Sequence, residues 1–554
     1  MSAIPLRVFS GVIQAANPEL LDAKIAQKAV NTKLIYGDLR PWKSPLEILT
    51  PTKPGTQLSI YRFGENEIVD TNYWFTWPTD VDVVRAPIDN DVSERTYYTG
   101  DGYPKVTNNA RALTGGTAYP INYYRLGVPP PSVTGVALTA SGSASSDSAV
   151  VNTTCYVITY VSSQGEESAP SLATMLVDYK NGQTITLQNL PTGAFATQYA
   201  AWNNVDVATK RLYRSNSGSK ATDFQFVTEL PLATTTYSDS ATVESLNEVV
   251  ETWGWMPAPE TMKGLKLMAN GIGIGFSGTT LYPSEPFVLY AYPVDYRIST
   301  EYPIVGLGAF GQSMFVGTKG NPYVIQGTDP SSLTMIKLEA KQACVSKRSI
   351  VEMGGGVLYA SPDGLCRVDQ SGLSILTSGI LSRDDWQYYK PESMLGTQLD
   401  SRYFCFYDNG TEQGCLVFDF TGPTTFTKIS MYATAAFNDL RKDAVFLVID
   451  GKVVKFDQGA SNMTMTWKSK RFRTAQPMNF GAAKLGADSY PVTLNVYTDA
   501  QSTPKYTVSV LNERDFKLPA GFKSDKWEFE IVHNDKVAYL IVASTTKDIR
   551  ALEL

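Results

Sequence analysis

Histidine is almost absent: His533 is the only one in 554 residues. An imidazole-based triad would have to use that side chain, and a multi-histidine metal site is excluded by counting. His533 follows the alternating run "WEFEIV" and precedes Asn534 and Asp535, so it reads as a turn residue. Cysteine is scarce too. Cys155, Cys344, Cys366, Cys405 and Cys415 make an odd number with no C-x-x-C pair. That pattern predicts reduced, buried thiols and gives a zinc site little support. Cys405 and Cys415 flank one turn, and a bridge across it would need an oxidising compartment. Charge is low at 18%, with a net of −6; soluble domains typically carry roughly 25%. This balance argues against a protein that grips duplex DNA. It leaves room for a conduit, because a neutral or acidic wall does not hold phosphates as a basic one does. No apolar run approaches the ~18 residues of a membrane helix. The N-terminus "MSAIPLRVFSGVIQ" lacks the apolar core and cleavage site of a secretory leader.

What is present is turn-formers and aromatics: 42 Gly, 31 Pro and 31 Tyr, with 43% hydrophobic residues. This composition predicts an all-β chain of several domains. Residues 1–50 read as an opening segment with one short helix. In "NPELLDAKIAQKAV", Asn17 caps, Pro18 takes the first helical position, and Leu21, Ile25 and Ala29 form an apolar stripe. Hairpins then recur, turning near Gly64, Gly102, Gly278, Gly320, Gly364, Gly410 and Gly451. Neighbouring turns are separated by 38, then, after a long gap, by 42, 44, 46 and 41 residues. A period of roughly 40–50 residues with several short strands per unit predicts a β-propeller of roughly six to eight blades. Its first blades fall in residues 51–127 and the remaining ones in 251–460. The gap, residues 128–250, opens on the Pro-rich linker "GVPPPSVTG" and the polar loop "SGSASSDSA". Its strands, such as "CYVITYVSS" and "TKRLYRSNSG", are short and nearly alternating, and predict an inserted β-sandwich. Their order resembles a fibronectin type III or immunoglobulin-like module. Residues 461–554 read as a C-terminal β domain.

Candidate chemistry is thin. Asp89, Asp91 and Ser93 begin like a calcium loop, but Glu94 stands where glycine is needed and Gly100 where a bidentate glutamate is needed. The surrounding "NDVSERTYYTGDGYPK" fits a hairpin turning at Asp101-Gly102. A glycosidase needs two carboxylates roughly 5–10 Å apart; candidates are Glu285, Asp363, Asp384 and Asp385, while Asp-Gly in "SPDG" is first a turn. Trp386, Tyr388 and Tyr389 in "DDWQYY" offer rings for sugar stacking, or for a core or interface patch. The Gly-rich runs "NGIGIGFSG" and "EMGGGVL" lack the Lys-Ser/Thr of a phosphate loop. In "TWKSKRFR" a continuous strand would put Arg471 and Arg473 on one face and Lys468 and Lys470 on the other, as on a solvated edge. No catalytic, cofactor-binding or metal site is assigned, and the chain reads as a non-enzyme.

Several segments resemble one family. "FSGVIQAANPELLDAKIAQKAVNTKLIYGDLRPW" is similar to the opening of structural proteins of short-tailed bacteriophages, with Gln14 and Asn17 where proline and aspartate are commoner. "ERTYYTGDGYPKVT" matches that family's R-x-Y-Y-T-x-D-G-x-P-K-x-T hairpin. "GFSGTTLYPSEPFVLYAYP" resembles its S-E-P blade ending, with Tyr292 replacing tryptophan, and "WKSKRF" and "FKLPAGFKSDKWEFEI" resemble its tail. The family is the tail nozzle, or tail tubular protein B, group. The resemblance implies a subunit of a homo-hexameric ring below the tail adaptor, in contact with tail fibres or spikes. The ring closes on and then guides genome DNA without sequence-specific binding. It also implies a virion tail assembled in the host cytoplasm, with no cofactor and no membrane span. Alternatives are a carbohydrate-binding tail adhesin and a propeller glycosidase.

Overall fold

The computed structural model describes residues 3–145, 150–217, 222–246, 248–420, 422 and 424–552. The end of the polar loop at 146–149 and the last two residues lie outside the described residues. Its architecture is a propeller, an inserted sandwich and a terminal β domain, and strands dominate all three.

Among the described residues, seven antiparallel sheets make the propeller. Blade one is the pair Ser59–Arg62 and Trp74–Trp77. Blade two holds Asp82–Arg85, Thr96–Thr99, Lys105–Thr107 and Tyr124–Arg125. Blade three spans Lys263–Leu267 to Ile298–Ser299, blade four Ile304–Phe310 to Thr334–Lys337, and blade five Val351–Met353 to Gly372–Ile375. Blade six runs from Leu395–Leu399 to Thr425–Ile429. Blade seven has Ala435–Asp439, Ala444–Ile449 and Lys452–Lys455, and takes its fourth strand, Leu46–Leu49, from the other end of the chain. Every glycine named above sits in a connection between paired strands. Gly278 shows why one is needed: its φ of +62° closes the two-residue turn between Gly273–Ser277 and Thr280–Pro283.

Each joint between consecutive blades is apolar, that between five and six being continuous with the core of the terminal domain, and the seven joints close a circle. Phe75 and Trp77 meet Tyr98 between blades one and two; Val84 and Tyr97 meet Leu265 between two and three. Phe276 meets Leu307 between three and four, and Phe315 meets Tyr359 between four and five. Leu358 meets Tyr403, Phe404 meets Leu447, and finally Phe446 meets Ile60 and Trp74, which returns to blade one. A lone blade exposes both faces; the closed circle buries them.

The axis is tied by polar contacts. Lys347 and Arg348, on the connection between blades four and five, reach a small cavity bordered by Ile60, Asp82, Lys266, Leu307, Leu395 and Ala436. Lys347 bridges Asp80 at 3.1 Å and Asp82 at 2.5 Å. Arg348 donates to the Leu58 carbonyl at 3.0 Å and to that of Thr434, on the two blades where the ring closes. Arg348→Ala leaves two carbonyls short of a charged donor. Its expected cost is about 1.5–3 kcal/mol in urea unfolding of the full chain; an unchanged midpoint would show that water replaces the guanidinium.

The module at 128–250 lies between blades two and three. One sheet is Ala137–Ser141, Thr184–Gln188 and Thr236–Asp239; the other is Tyr156–Val161, Thr209–Ser217 and Thr222–Pro231. Tyr156, Ile158, Ile185, Leu187 and Leu212 fill the space between them. Arg214 and Asp239 form a buried ion pair at 2.8 Å, and Tyr156 donates to the same carboxylate at 2.6 Å. The open side of Tyr156–Val161 is covered by a stretch of period three. Ser168, Ser171 and Thr174 each accept through the side chain from Tyr160, Ile158 and Tyr156 amides at 2.9–3.0 Å. This satisfies an edge that would otherwise pair with other chains.

The helix expected over Asn17–Val30 does not form. Asn17 Oδ1 accepts from the Glu19 amide at 3.0 Å in a local turn, and Ala26–Val30 is a strand. Leu21, Ile25 and Ala29 are buried as the stripe predicted. Ala29 lies in that strand and faces Trp467 of Met465–Ser469, and Val30 beside it pairs with Lys428 of blade six; Leu21 and Ile25 are buried ahead of the strand, without helical pairing. Long-range pairing outweighs a helix propensity worth only tenths of a kcal/mol per residue. This strand also joins blade six to the C-terminal strands Met465–Ser469, Ser524–His533, Val492–Thr498 and Tyr506–Val510 in one ten-stranded sheet. A second sheet sets Ala3–Leu6 beside Val537–Ala543, so both chain ends share one domain.

Candidate functional site

Most of the polar and aromatic side chains of the stretch 90–105 are engaged by neighbours. Asp91 accepts from the Ser93 amide and hydroxyl at 3.1 and 2.6 Å, and from the Arg95 amide at 3.0 Å. Burial works to raise its pKa, but these donors outweigh it and hold the carboxyl below its usual range. Glu94 accepts from the Glu65 amide, and Asp101 pairs with Lys105 at 2.6 Å. Gly100 has φ +102°, and a Cβ there would stand 2.2 Å from the Asp80 carbonyl oxygen. Tyr97 and Tyr98 are buried on opposite faces, in the joints to blades three and one. No group of three or more potential metal ligands occurs among the described residues.

The other candidates are mostly engaged by neighbours. Glu285 accepts from Tyr296 at 3.0 Å in blade three. Asp363 pairs with Arg383 at 3.1 Å and accepts from Gln342. Asp385 caps the short helix Arg383–Tyr388 through Ser382 and accepts from Gln14 at 2.7 Å. Trp386 is fully buried and donates to the Ser361 carbonyl at 2.8 Å, so its ring belongs to the core. His533 is the last residue of a strand rather than part of the turn; it is buried, and burial lowers its pKa. All five cysteines are free. Cys405 faces Leu416 and Cys415 faces Phe406, a one-residue offset that sends the two thiols into different cores.

The basic run departs from its predicted faces because the strand breaks between Ser469 and Phe472. Lys468 and Arg471 therefore converge on Glu528 at 2.5 and 2.6 Å. Burial alone would raise the Glu528 pKa; these two cations pull it below the usual range. Arg473 lies near Glu19 and Asp525 at 3.6 and 3.7 Å, and Lys470 donates to the Leu21 carbonyl. The run is neutralised from within and ties the N-terminal segment to the C-terminal sheet.

One place gathers sequence candidates around open space. A groove of about 920 Å³ lies beside blade six. Four segments build it: Val12 and Gln14; Gln27–Val30; the helix carrying Asp384, Asp385 and Tyr388, with Tyr389 at its C-terminal cap; and Tyr407, Glu412, Phe426 and Lys428 of blade six. Three tyrosines stand edge to face, Tyr388 to Tyr389 at 5.3 Å and Tyr389 to Tyr407 at 4.8 Å. Lys428 sits 4.9 Å over the Tyr389 ring and 3.6 Å from Glu412, which accepts from the Tyr407 hydroxyl. Tyr388 is 53% exposed. The sequence marked the "DDWQYY" cluster but not Tyr407, Glu412 or Lys428, which only strand pairing brings to it. A second place that the sequence did not mark is Glu166, buried where the inserted module meets blade two.

No family model and no curated protein matches this chain. Among solved structures, BBS1N in complex with ARL6DN is similar at 12% identity and TM-score 0.24, covering 52% of this chain and 88% of that one. The N-terminal domain of Nup159 is similar at 9% and 0.25, covering 58% and 87%. PorZ, a surface component of the type-IX secretion system of Porphyromonas gingivalis, is similar at 11% and 0.22, covering 89% and 82%. At these scores none bears on what this chain does. No helix among the described residues is long and apolar enough to cross a membrane.

Proposed function

We propose that this chain is a non-catalytic structural protein of a short-tailed phage virion, a subunit of the nozzle ring that closes on and then guides the genome. The observation that carries the reading is the role of the family-like residues. In "RTYYTGDGYPK", Tyr97 and Tyr98 fill blade joints, Lys105 lies 4.0 Å over the Tyr123 ring, and Gly100 admits the Asp80 carbonyl. In "WKSKRF", Trp467 is fully buried and Lys468 and Arg471 hold Glu528. Residues that mark the family are used for packing, as in a building block. Like subunits would pack head to side into a closed ring, a heterologous contact that ends by rotation. The tail adaptor would sit above it and fibres or spikes at its side. The net charge of −6 suits a wall along which DNA slides.

Electron microscopy of the purified chain, alone and with the adaptor, tests this. Closed six-fold rings are expected, together with the chain in purified virions. A strictly monomeric protein absent from virions overturns the reading.

A further inference from the structure

We propose that the tyrosine-lined groove beside blade six is a binding site for a neutral oligosaccharide. The inference is independent of the nozzle reading. At about 920 Å³ the groove has room for several sugar rings. Tyr388, 53% exposed, offers a ring to the C–H face of a pyranose, and Tyr389 behind it fixes the orientation. Hydroxyls of such a ligand need acceptors and donors at the rim. Among the described residues no hydrogen bond or ion pair engages the Asp384 carboxylate, which lines the same groove. Glu412 and Lys428, 3.6 Å apart, line the groove beside Tyr407 and Tyr389.

The charge balance selects the ligand class. Asp384, Asp385 and Glu412 outnumber the lysines, and each lysine is near a carboxylate: Lys428 faces Glu412, and Lys28 faces Glu530 at 3.6 Å. Phosphate and sulfate groups are therefore repelled. A purely apolar ligand would strip water from these carboxylates without replacing their hydrogen bonds. A neutral polyhydroxylated chain satisfies both the rings and the carboxylates. The site requires the whole fold, since its walls come from residues about 400 positions apart in sequence, Gln14 and Glu412 among them.

Saturation-transfer NMR and titration calorimetry of the full chain would test this. The neutral probes are cellohexaose, maltohexaose, chitohexaose and a mannohexaose. The controls are a thymidine oligonucleotide, a sulfated dextran oligomer and a tyrosine-lysine peptide. At least one neutral probe is expected to bind saturably. Tyr388→Ala is expected to weaken it by roughly tenfold or more, equivalent to about 1.4 kcal/mol, and Asp384→Asn by several-fold. Both side chains are exposed, so both variants should unfold like the parent. Tyr36→Ala, at an exposed tyrosine that does not line the groove, should bind as the parent does. The proposal fails if no neutral probe binds up to roughly 10 mM. It fails equally if binding survives both groove substitutions, or if only a charged control binds.

Discussion

Arg62→Ala is expected to lower the stability of the propeller by about 3–5 kcal/mol, the usual cost of stripping one partner from a buried ion pair. The Arg62 side chain is completely buried, and Asp439, 3.3 Å away, is almost so. Its guanidinium also contacts Asp70 at 3.1 Å and the carbonyls of Glu67 and Val69 at 3.1 and 2.8 Å. Arg62 lies in blade one and Asp439 in blade seven, so the pair spans the seam at which the ring closes. Asp70 keeps Lys442 and Lys455 at 2.6 and 3.2 Å, and Asp439 keeps Arg441 at 3.0 Å. These cations outweigh the effect of burial and hold both carboxyls below their usual range. Removing Arg62 leaves Asp439 with a partner on its own blade only. Urea unfolding followed by tryptophan fluorescence should show the loss. Arg62→Met with Asp439→Asn should recover part of it, because no lone buried charge remains. A loss below about 1 kcal/mol for Arg62→Ala would mean the seam is held by its apolar core alone.

The second large effect depends on pH. Glu166 is 4% exposed, and burial is the main force raising its pKa from 4.5 to about 7. Arg95, Arg111 and a hydrogen bond from Tyr97 oppose that rise, while Asp206 adds to it. The side chain thus lies where the module meets blade two, a joint also held by Arg111 to Asp206 at 3.1 Å and by Arg125 4.6 Å over the Trp202 ring. The sign follows from linkage. Below pH 4.5 the group is neutral whether the chain is folded or not, and nothing is lost. Between 4.5 and about 7 the folded state holds a proton that the unfolded state has released, so stability falls as pH rises. Above about 7 the folded state carries a buried charge, and the full penalty of about 3 kcal/mol applies. Glu166→Gln should therefore stabilise the docked module by up to about 3 kcal/mol at pH 8 and change little at pH 5. Unfolding and limited proteolysis at the two pH values would read this. A variant equally stable or less stable than the parent at both would show that the carboxylate finds a partner when charged.

Composition and local pattern were enough for the class of fold. Scarce charge, abundant glycine and the hairpin period predicted a bladed β ring with an inserted sandwich, and the structure has seven blades with the module between two and three. Turns are local: Gly278 or Gly451 needs only its own positive φ, so a few adjacent residues determine each one. The calcium-loop pattern could be weighed the same way, since reading the residues after Asp91 needs no third dimension.

What the tertiary structure alone decided is every feature made by residues distant in sequence. Asn17–Val30 carries sound helix signals, yet its end, Ala26–Val30, forms a strand because Met465–Ser469 and Lys428 offer it edges to pair with. Leu46–Leu49 closes a blade whose other strands begin almost 400 residues later. Lys468 and Arg471 meet at Glu528 because the strand breaks between them, against the alternation a continuous strand would impose. The groove unites Gln14, Tyr388 and Glu412, and no period or motif relates those positions. The physical reason is the same throughout. Turn and patterning energies act over a few neighbouring residues, while strand pairing and ion pairs act through space. The sequence by itself therefore determined the units, and only their closure into a ring decided which surfaces are joints and which remain open.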